Sequence, residues 1–198
     1  MAEADRSSLG IKLLTATYIL VLPGMFILPF FNSPGYSIIG NTLSELGAQS
    51  APHAWIMNLM FISLAFGSVI AGWRYFEGFI FHRIVLVLFG VSLTLMAFFN
   101  HAPIRPDIQY SITEEGWHAY FSCSAGLSFV ILSIATGFIL DKQQDRLIAL
   151  AAGTAVLLLS VLMSEADRSA GIWQRLMFIL SFGWMIYHFR TRELYIIQ

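Results

Sequence analysis

The sequence predicts an all-α polytopic membrane protein, with six transmembrane helices forming a single domain over residues 1–198. Three observations carry this prediction. Six apolar stretches of roughly membrane length fill most of the 198 residues. The chain is 57% hydrophobic and only 12% charged, a balance that a water-soluble domain of this size does not support. Lys and Arg are divided unequally between alternate connections, as the positive-inside rule requires of a multi-pass chain.

The six spans are Ile11–Phe31, Ala54–Trp73, Ile84–Phe99, Trp117–Leu140, Leu147–Met163 and Ile172–Tyr187. A helix rises about 1.5 Å per residue and needs about 20 residues to cross the hydrocarbon, so the third, fifth and sixth are short and rely on flanking groups that snorkel. The first reads as a retained anchor. Pro23-Gly24 interrupts it, only Arg6 and Lys12 flank it, and no small-residue cleavage site follows. Ala2 in place of glycine excludes N-myristoylation. Cys123, the single cysteine, lies inside the fourth span and leaves no intrachain disulfide to form.

Orientation follows from the basic residues. Arg6, Lys12, Arg74, Arg83, Lys142, Arg146, Arg190 and Arg192 fall on the side of the N-terminus, against Arg105, Arg168 and Arg175 on the other. Both termini are therefore expected in the cytoplasm of a chain resident in the cell (inner) membrane, with the odd-numbered connections outside. Trp55, Trp117 and Trp173 open spans at the outer boundary, while Trp73, Tyr75 and Tyr187 sit at inner ends, the placement amphipathic rings prefer. His82 and His188, at inner ends without an acid cluster, read as interface residues. A net charge of −1 without a basic cluster argues against a nucleic-acid partner and leaves membrane lipids and other membrane subunits as the expected ones. The repeated Leu-Met-Phe-Ile at residues 59–62 and 176–179 is too short to indicate duplication in so apolar a chain.

The outer connections hold most of the chemistry. In the first, residues 32–53, Thr42-Leu43-Ser44-Glu45 fits a capping box, and Ile38, Ile39, Leu43 and Leu46 give the segment an apolar side. With Gly47 as a stop, this predicts a short helix at the interface or folded over the bundle mouth. Asn41, Ser44 and Glu45 are then either caps or ligand-facing groups. In the second, residues 100–116, Pro103 and Pro106 force a turn, and Ser111 with Glu114 fits another capping box. Glu115, His118 and Ser122 recur at i, i+3 and i+7, and Ala125, Gly126, Phe129, Ser133 and Thr136 continue the same small or hydroxylic face. That face should pack inward, which makes His118 an intramembrane ionisable group and a candidate site by default. In the third, Trp173, Gln174 and Arg175 enter the last span, where a guanidinium can clamp a carboxylate or phosphate, or instead snorkel to headgroups.

Imidazole and carboxylate donors suit a catalytic zinc, which takes three protein groups and keeps one position for water. His118, His101 and Asp107 are the candidate ligands, with Glu115 or Glu45 as general base and His53 as a spare imidazole; no HExxH or paired-His spacing supports them. Haem is less suited, because His118 has no second buried ligand facing it. Lys12 and Lys142 are the only lysines and lie at span ends, which excludes an intramembrane retinal Schiff base.

Ser44-Glu45-Leu46-Gly47-Ala48 before the second span, Asp107 in the turn ahead of His118, and Gly171-Ile172-Trp173-Gln174-Arg175 opening the sixth resemble the bacterial and archaeal multi-span family catalogued as domain of unknown function 998. The resemblance covers nearly the whole chain and implies a membrane fold with no assigned activity. It departs at the third span, where that family's Phe-Pro-x-Asp run is replaced by Phe99-Asn100-His101-Ala102-Pro103, so the equivalence of Asp107 does not rest on that run. The chain is more distantly similar to alkaline ceramidases and adiponectin receptors, transmembrane hydrolases with Ser, Asp and His zinc sites, but has six spans rather than seven and lacks their paired histidines in the last span. Two functions remain in view. One is a non-catalytic component that holds a lipid, quinone or pigment, or a larger membrane complex. The other is a metal-dependent lipid hydrolase at the outer leaflet, with His118 as ligand or base.

Overall fold

The computed structural model describes residues 2–190. Arg192 and the side chains of Arg6 and Asp167 lie outside the described residues. Seven α-helices and no strands are present among them. The helices are α1 (Ala2–Ile27), α2 (Leu43–Leu46), α3 (Ala54–Tyr75), α4 (Ile80–Phe98), α5 (Ile112–Ile139), α6 (Gln143–Glu165) and α7 (Ala170–Arg190). Six of the seven coincide with the six apolar stretches. Pro23 does not interrupt the first of them: α1 runs through it to Ile27 and tightens into a 3-10 turn at Leu28–Phe31. Proline is tolerated within a span because neighbouring groups can satisfy the backbone it frees.

Successive long helices pack on one another in chain order, and α7 returns to α1 and α3, closing the bundle. Between apolar helices in lipid no hydrophobic force drives association, so close van der Waals contact and buried hydrogen bonds must do so. Gly67 of α3 shows the first device: a Cβ there would lie 2.9 Å from the Leu14 backbone of α1. Ser133 of α5 shows the second, its hydroxyl donating to the Ala149 carbonyl of α6 at 2.7 Å.

By length and composition α1, α3, α4, α5 and α6 can cross a membrane. The 21-residue α7 is not among the helices that meet this measure, because polar residues such as Gln174, Arg175 and His188 lower its hydropathy; these three are buried. It is also the helix that reaches all the others. The Tyr18 hydroxyl of α1 donates to Ile179 O at 3.0 Å, and Tyr187 donates to Asp145 of α6 at 2.9 Å. Its rings meet Phe61 of α3, Phe89 of α4 and Phe129 of α5 at centroid separations of 5.4, 6.1 and 5.5 Å. A helix turned toward protein on several sides can carry polar groups that a lipid-facing helix cannot.

His82 and His188, near helix ends, turn toward the bundle interior. His82 is 6% exposed and packs against Phe76, Phe79 and Phe81; His188 is 1% exposed and lies 4.7 Å from the Trp184 ring. Each falls on the inward side of its helix, which overrides its position near the helix end.

The α1–α3 connection folds back over one mouth of the bundle as a lid. Leu43, Leu46 and Ala48 are each no more than 1% exposed, and α2 contacts α3 and α7. The lid also completes α7: Gly171 N donates to Gly40 O and Ile172 N to Ile39 O, both at 3.2 Å, so loop carbonyls take donors that a helix start leaves unpaired. Gly171 permits the approach, since a Cβ there would lie 2.2 Å from Asn41 O and 2.6 Å from Ile38 O. Gly126 of α5 is the converse case, with no atom within 4 Å of the same position. Gly171→Ala should therefore lower stability by about 1–3 kcal/mol through forced lid displacement, whereas Gly126→Ala should raise it by up to about 1 kcal/mol through helix propensity alone. Thermal melts of the two variants in one detergent check this, and equal shifts would mean that the lid is not seated on α7.

Candidate functional site

Arg175 anchors the lid. It is 3% exposed, and its guanidinium donates to Met25 O at 3.2 Å, to Ile38 O and Asn41 O at 2.9 Å each, to Gly171 O at 2.8 Å and to the Tyr36 hydroxyl at 2.8 Å. These groups come from the end of α1, the lid and α7, so one planar fork joins three parts of the chain. The Tyr36 hydroxyl in turn donates toward Thr42 O at 2.7 Å. Burial pushes the Tyr36 phenol up to about 12, with Arg175 pulling the other way, so it remains a neutral donor.

The capping box at Thr42 is present: the Thr42 hydroxyl accepts from Glu45 N, and the Glu45 carboxylate accepts from Thr42 N. The same carboxylate accepts from Asn41 Nδ2 at 2.8 Å, while Asn41 Oδ1 accepts from Ser37 N at 2.7 Å. Gln174 reaches across from α7, its oxygen accepting from Leu43 N and its amide donating to Ser44 Oγ at 3.3 Å. Ser111 caps α5 by accepting from Glu114 N at 3.2 Å, but the reciprocal half of that box does not form. Ser111 N donates instead to Gln49 Oε1 of the lid at 2.8 Å, and Glu114 accepts from Asn100 N at 2.8 Å. Asn58 Nδ2 of α3 adds a 2.7 Å bond to Asn100 Oδ1, so the first and second connections form one polar layer across the mouth.

Beneath this layer lies a cavity of about 590 Å³ between α4, α5, α6 and α7. Its depth is apolar, lined by Phe89, Leu93, Phe129, Val156, Phe178 and Phe182; its upper end carries Thr42, Ser44, His101, Glu115, His118 and Gln174. The inward α5 face is the one the i, i+3, i+7 spacing marks, with Glu115, His118, Ser122, Ala125, Gly126 and Phe129 all on the wall. His118 is 4% exposed, and its Nδ1 lies 2.9 Å from Met96 O and 2.7 Å from Phe99 O. Two carbonyl partners put the proton on Nδ1 and leave the Nε2 lone pair available. The His101 ring stands edge-on to it at 5.2 Å, with Nδ1 2.9 Å from Ala102 O and Nε2 3.7 Å from Glu115 Oε1. Glu115 also accepts from Ala102 N. A lone-pair nitrogen, a carboxylate and hydroxyls at the end of an apolar cavity can hold the polar end of an amphiphile, or accept a proton from it.

The candidate residues thus divide. His101, Glu115, His118, Ser44 and Gln174 come together at the cavity. Asp107 does not join them, because it is paired with Arg105 on an exposed turn; the hydrogen bond from that guanidinium holds its carboxyl low. Among the described residues no group of three or more His, Cys, Asp or Glu is arranged to hold a metal ion, so the set His118, His101 and Asp107 is not assembled. Glu45 and Asn41 serve the lid's own turn, and Trp173 donates to Ser169 Oγ at 3.0 Å, away from the cavity. Arg175 faces carbonyls rather than a ligand. Sequence reasoning passed over Asn58 and Tyr36; a lone amide within an otherwise apolar span was the available signal for the first. Arg175→Lys, which keeps the charge and loses the fork, should destabilise the lid by about 2–4 kcal/mol, at about 1–3 kcal/mol for each stranded carbonyl partly offset by the remaining ammonium. Limited proteolysis within residues 32–53 reads this directly, and wild-type resistance in the variant would show that Arg175 does not hold the lid.

Neither curated proteins nor solved structures match the chain, and kinship with ceramidase-like hydrolases is not shown. A family model does match, over residues 15–191, which takes in α1 from residue 15 onward, every later helix, the lid and the cavity. The chain belongs to that family, described as Protein of unknown function (DUF998).

Proposed function

We propose that this integral membrane protein binds an amphipathic molecule, a lipid, quinone or pigment, in the cavity between α4, α5, α6 and α7, as a non-catalytic component of the membrane. The observation that carries the reading is the cavity's polarity gradient: apolar walls over most of its depth and a cluster of hydrogen-bonding groups at one end. Ligand sites typically run from about 300 to 1,000 Å³ with few polar groups, and this cavity falls in that range. The use of Arg175 within the lid, and a donor set that among the described residues does not gather three metal ligands, favour holding over hydrolysis.

A second reading rests on one feature. His118 lines the cavity and is oriented through Nδ1, which leaves the Nε2 lone pair free to act as a general base, and Glu115 and His101 stand beside it. A lipid hydrolase acting at the outer leaflet would use it so.

Both readings take α7 as a sixth span, with the lid at the outer interface, both termini in the cytoplasm and the chain in the cell membrane. Its 21 residues cover about 31 Å at helical rise, enough for the hydrocarbon. The basic residues support the orientation.

Two measurements test this. Mass spectrometry of gently purified wild type should find one amphiphile enriched over bulk membrane lipid. Ser122→Leu, which fills the cavity wall, should lose it with little change in melting temperature; no enrichment in wild type would overturn the binding reading. Turnover of a bound ester that stops in His118→Ala would establish the hydrolase instead. For topology, a cysteine at exposed Asp107, in a Cys123→Ala background, should react with an impermeant thiol reagent applied to intact cells. Protection until the cells are opened would reverse the orientation.

A further inference from the structure

We infer that the cavity selects a neutral lipid alcohol, of the mono- or diacylglycerol type, and admits it sideways from the bilayer between the lid-side halves of α5 and α6. The inference rests on the binding reading above and deepens it by naming the ligand's polar end and its route.

The route follows from how α5 and α6 meet. At the end away from the lid they are in close contact: Gly137 and Gly153 sit against the partner helix, where a Cβ would lie 3.1 Å from Leu150 and 2.8 Å from Ile134, and Ser133 bonds to Ala149 O. Toward the lid the same two helices part. Gly126 has nothing within 4 Å, and Cys123, Leu127, Leu157 and Val161 are exposed while also lining the cavity. A cavity whose wall residues are at once exposed to the bilayer and turned inward is open on that side. Above it, the lid is bonded to α7 through Gly171, Ile172, Gln174 and Arg175, which covers the α7 side of the mouth, while the α5–α6 side stands open to the bilayer.

The headgroup follows from charge. Among the described residues no Lys or Arg lines the cavity. Arg175, next in the chain to the lining residue Gln174, has its guanidinium on lid and helix carbonyls. The polar end presents acceptors: the Glu115 carboxylate, His118 Nε2 with its lone pair, and the hydroxyls of Thr42 and Ser44. Further down, Ser122 Oγ is buried with no hydrogen-bond partner. A phosphate or carboxylate would meet the Glu115 carboxylate, whose own partner is the His101 ring, with no Lys or Arg on the lining to compensate it, whereas an alcohol donates to these groups and keeps no charge to desolvate.

The test uses full-length protein in nanodiscs and two diazirine probes with one acyl chain, a monoacylglycerol and a lysophosphatidic acid. The monoacylglycerol should crosslink to α5 and α6 wall residues at least about tenfold more than the acidic probe, since like-charge juxtaposition is strongly unfavourable. Glu115→Gln, which keeps an acceptor for Ala102 N, should narrow that ratio. Gly126→Leu should cut crosslinking by both probes with no loss of melting temperature. Equal or preferred labelling by the acidic probe would overturn the headgroup inference and leave binding intact. Undiminished labelling in a stable Gly126→Leu would overturn the lateral route. Cavity labelling by neither probe would overturn the binding reading itself.

Discussion

A buried guanidinium held on backbone carbonyls determines how this molecule is closed. Arg175 is held by carbonyls from α1, the lid and α7, so one side chain supplies donors to backbone from three parts of the chain. The exchange is mutual: the cation requires acceptors because it is 3% exposed, and the irregular lid backbone requires donors because it is folded against the bundle. Gln174 and the first N–H groups of α7 extend the same arrangement, so the helix and the lid are each incomplete without the other. The cavity depends on this seal, since Thr42 and Ser44, which form part of its polar end, belong to the lid.

The position of α7 explains a second feature. Its polar and aromatic residues are what exclude it from the most apolar helices, and they are the residues through which it touches α1, α3, α4, α5 and α6. In lipid, where burying one apolar surface against another gains little over leaving it in the bilayer, such contacts discriminate one helix arrangement from another. The polar layer across the mouth applies the same principle with Gln49, Asn58, Asn100, Glu114 and Glu115, which satisfy one another or backbone groups across segments far apart in the chain.

Some of the site was legible before the structure because its physics is local. The Thr42–Glu45 capping box closes within four residues, so its pattern implies its geometry. The i, i+3, i+7 series on α5 fixes which face is shared, and that face lines the cavity. Ser111 and Glu114 show where local reasoning stops: half the box forms, and the other half gives way to Gln49, a residue 62 positions away that competes for the same donor. Asp107 was misplaced for a related reason. Its nearest partner in space is Arg105, two residues back on an exposed turn, and that pairing holds it away from the histidines.

Sequence alone therefore determined the class of molecule, the six long helices and the inward face of α5, because hydropathy, length and helical period act within a single segment. Tertiary structure decided what each polar group faces. Arg175 was equally suited to a phosphate, a headgroup or a carbonyl, and only the lid's return over the bundle, 134 to 137 residues earlier in the chain, supplied the carbonyls that took it. Hydrogen-bond partners are set by proximity in space, and in a bundle closed by its last helix the decisive neighbours are the ones most distant in sequence.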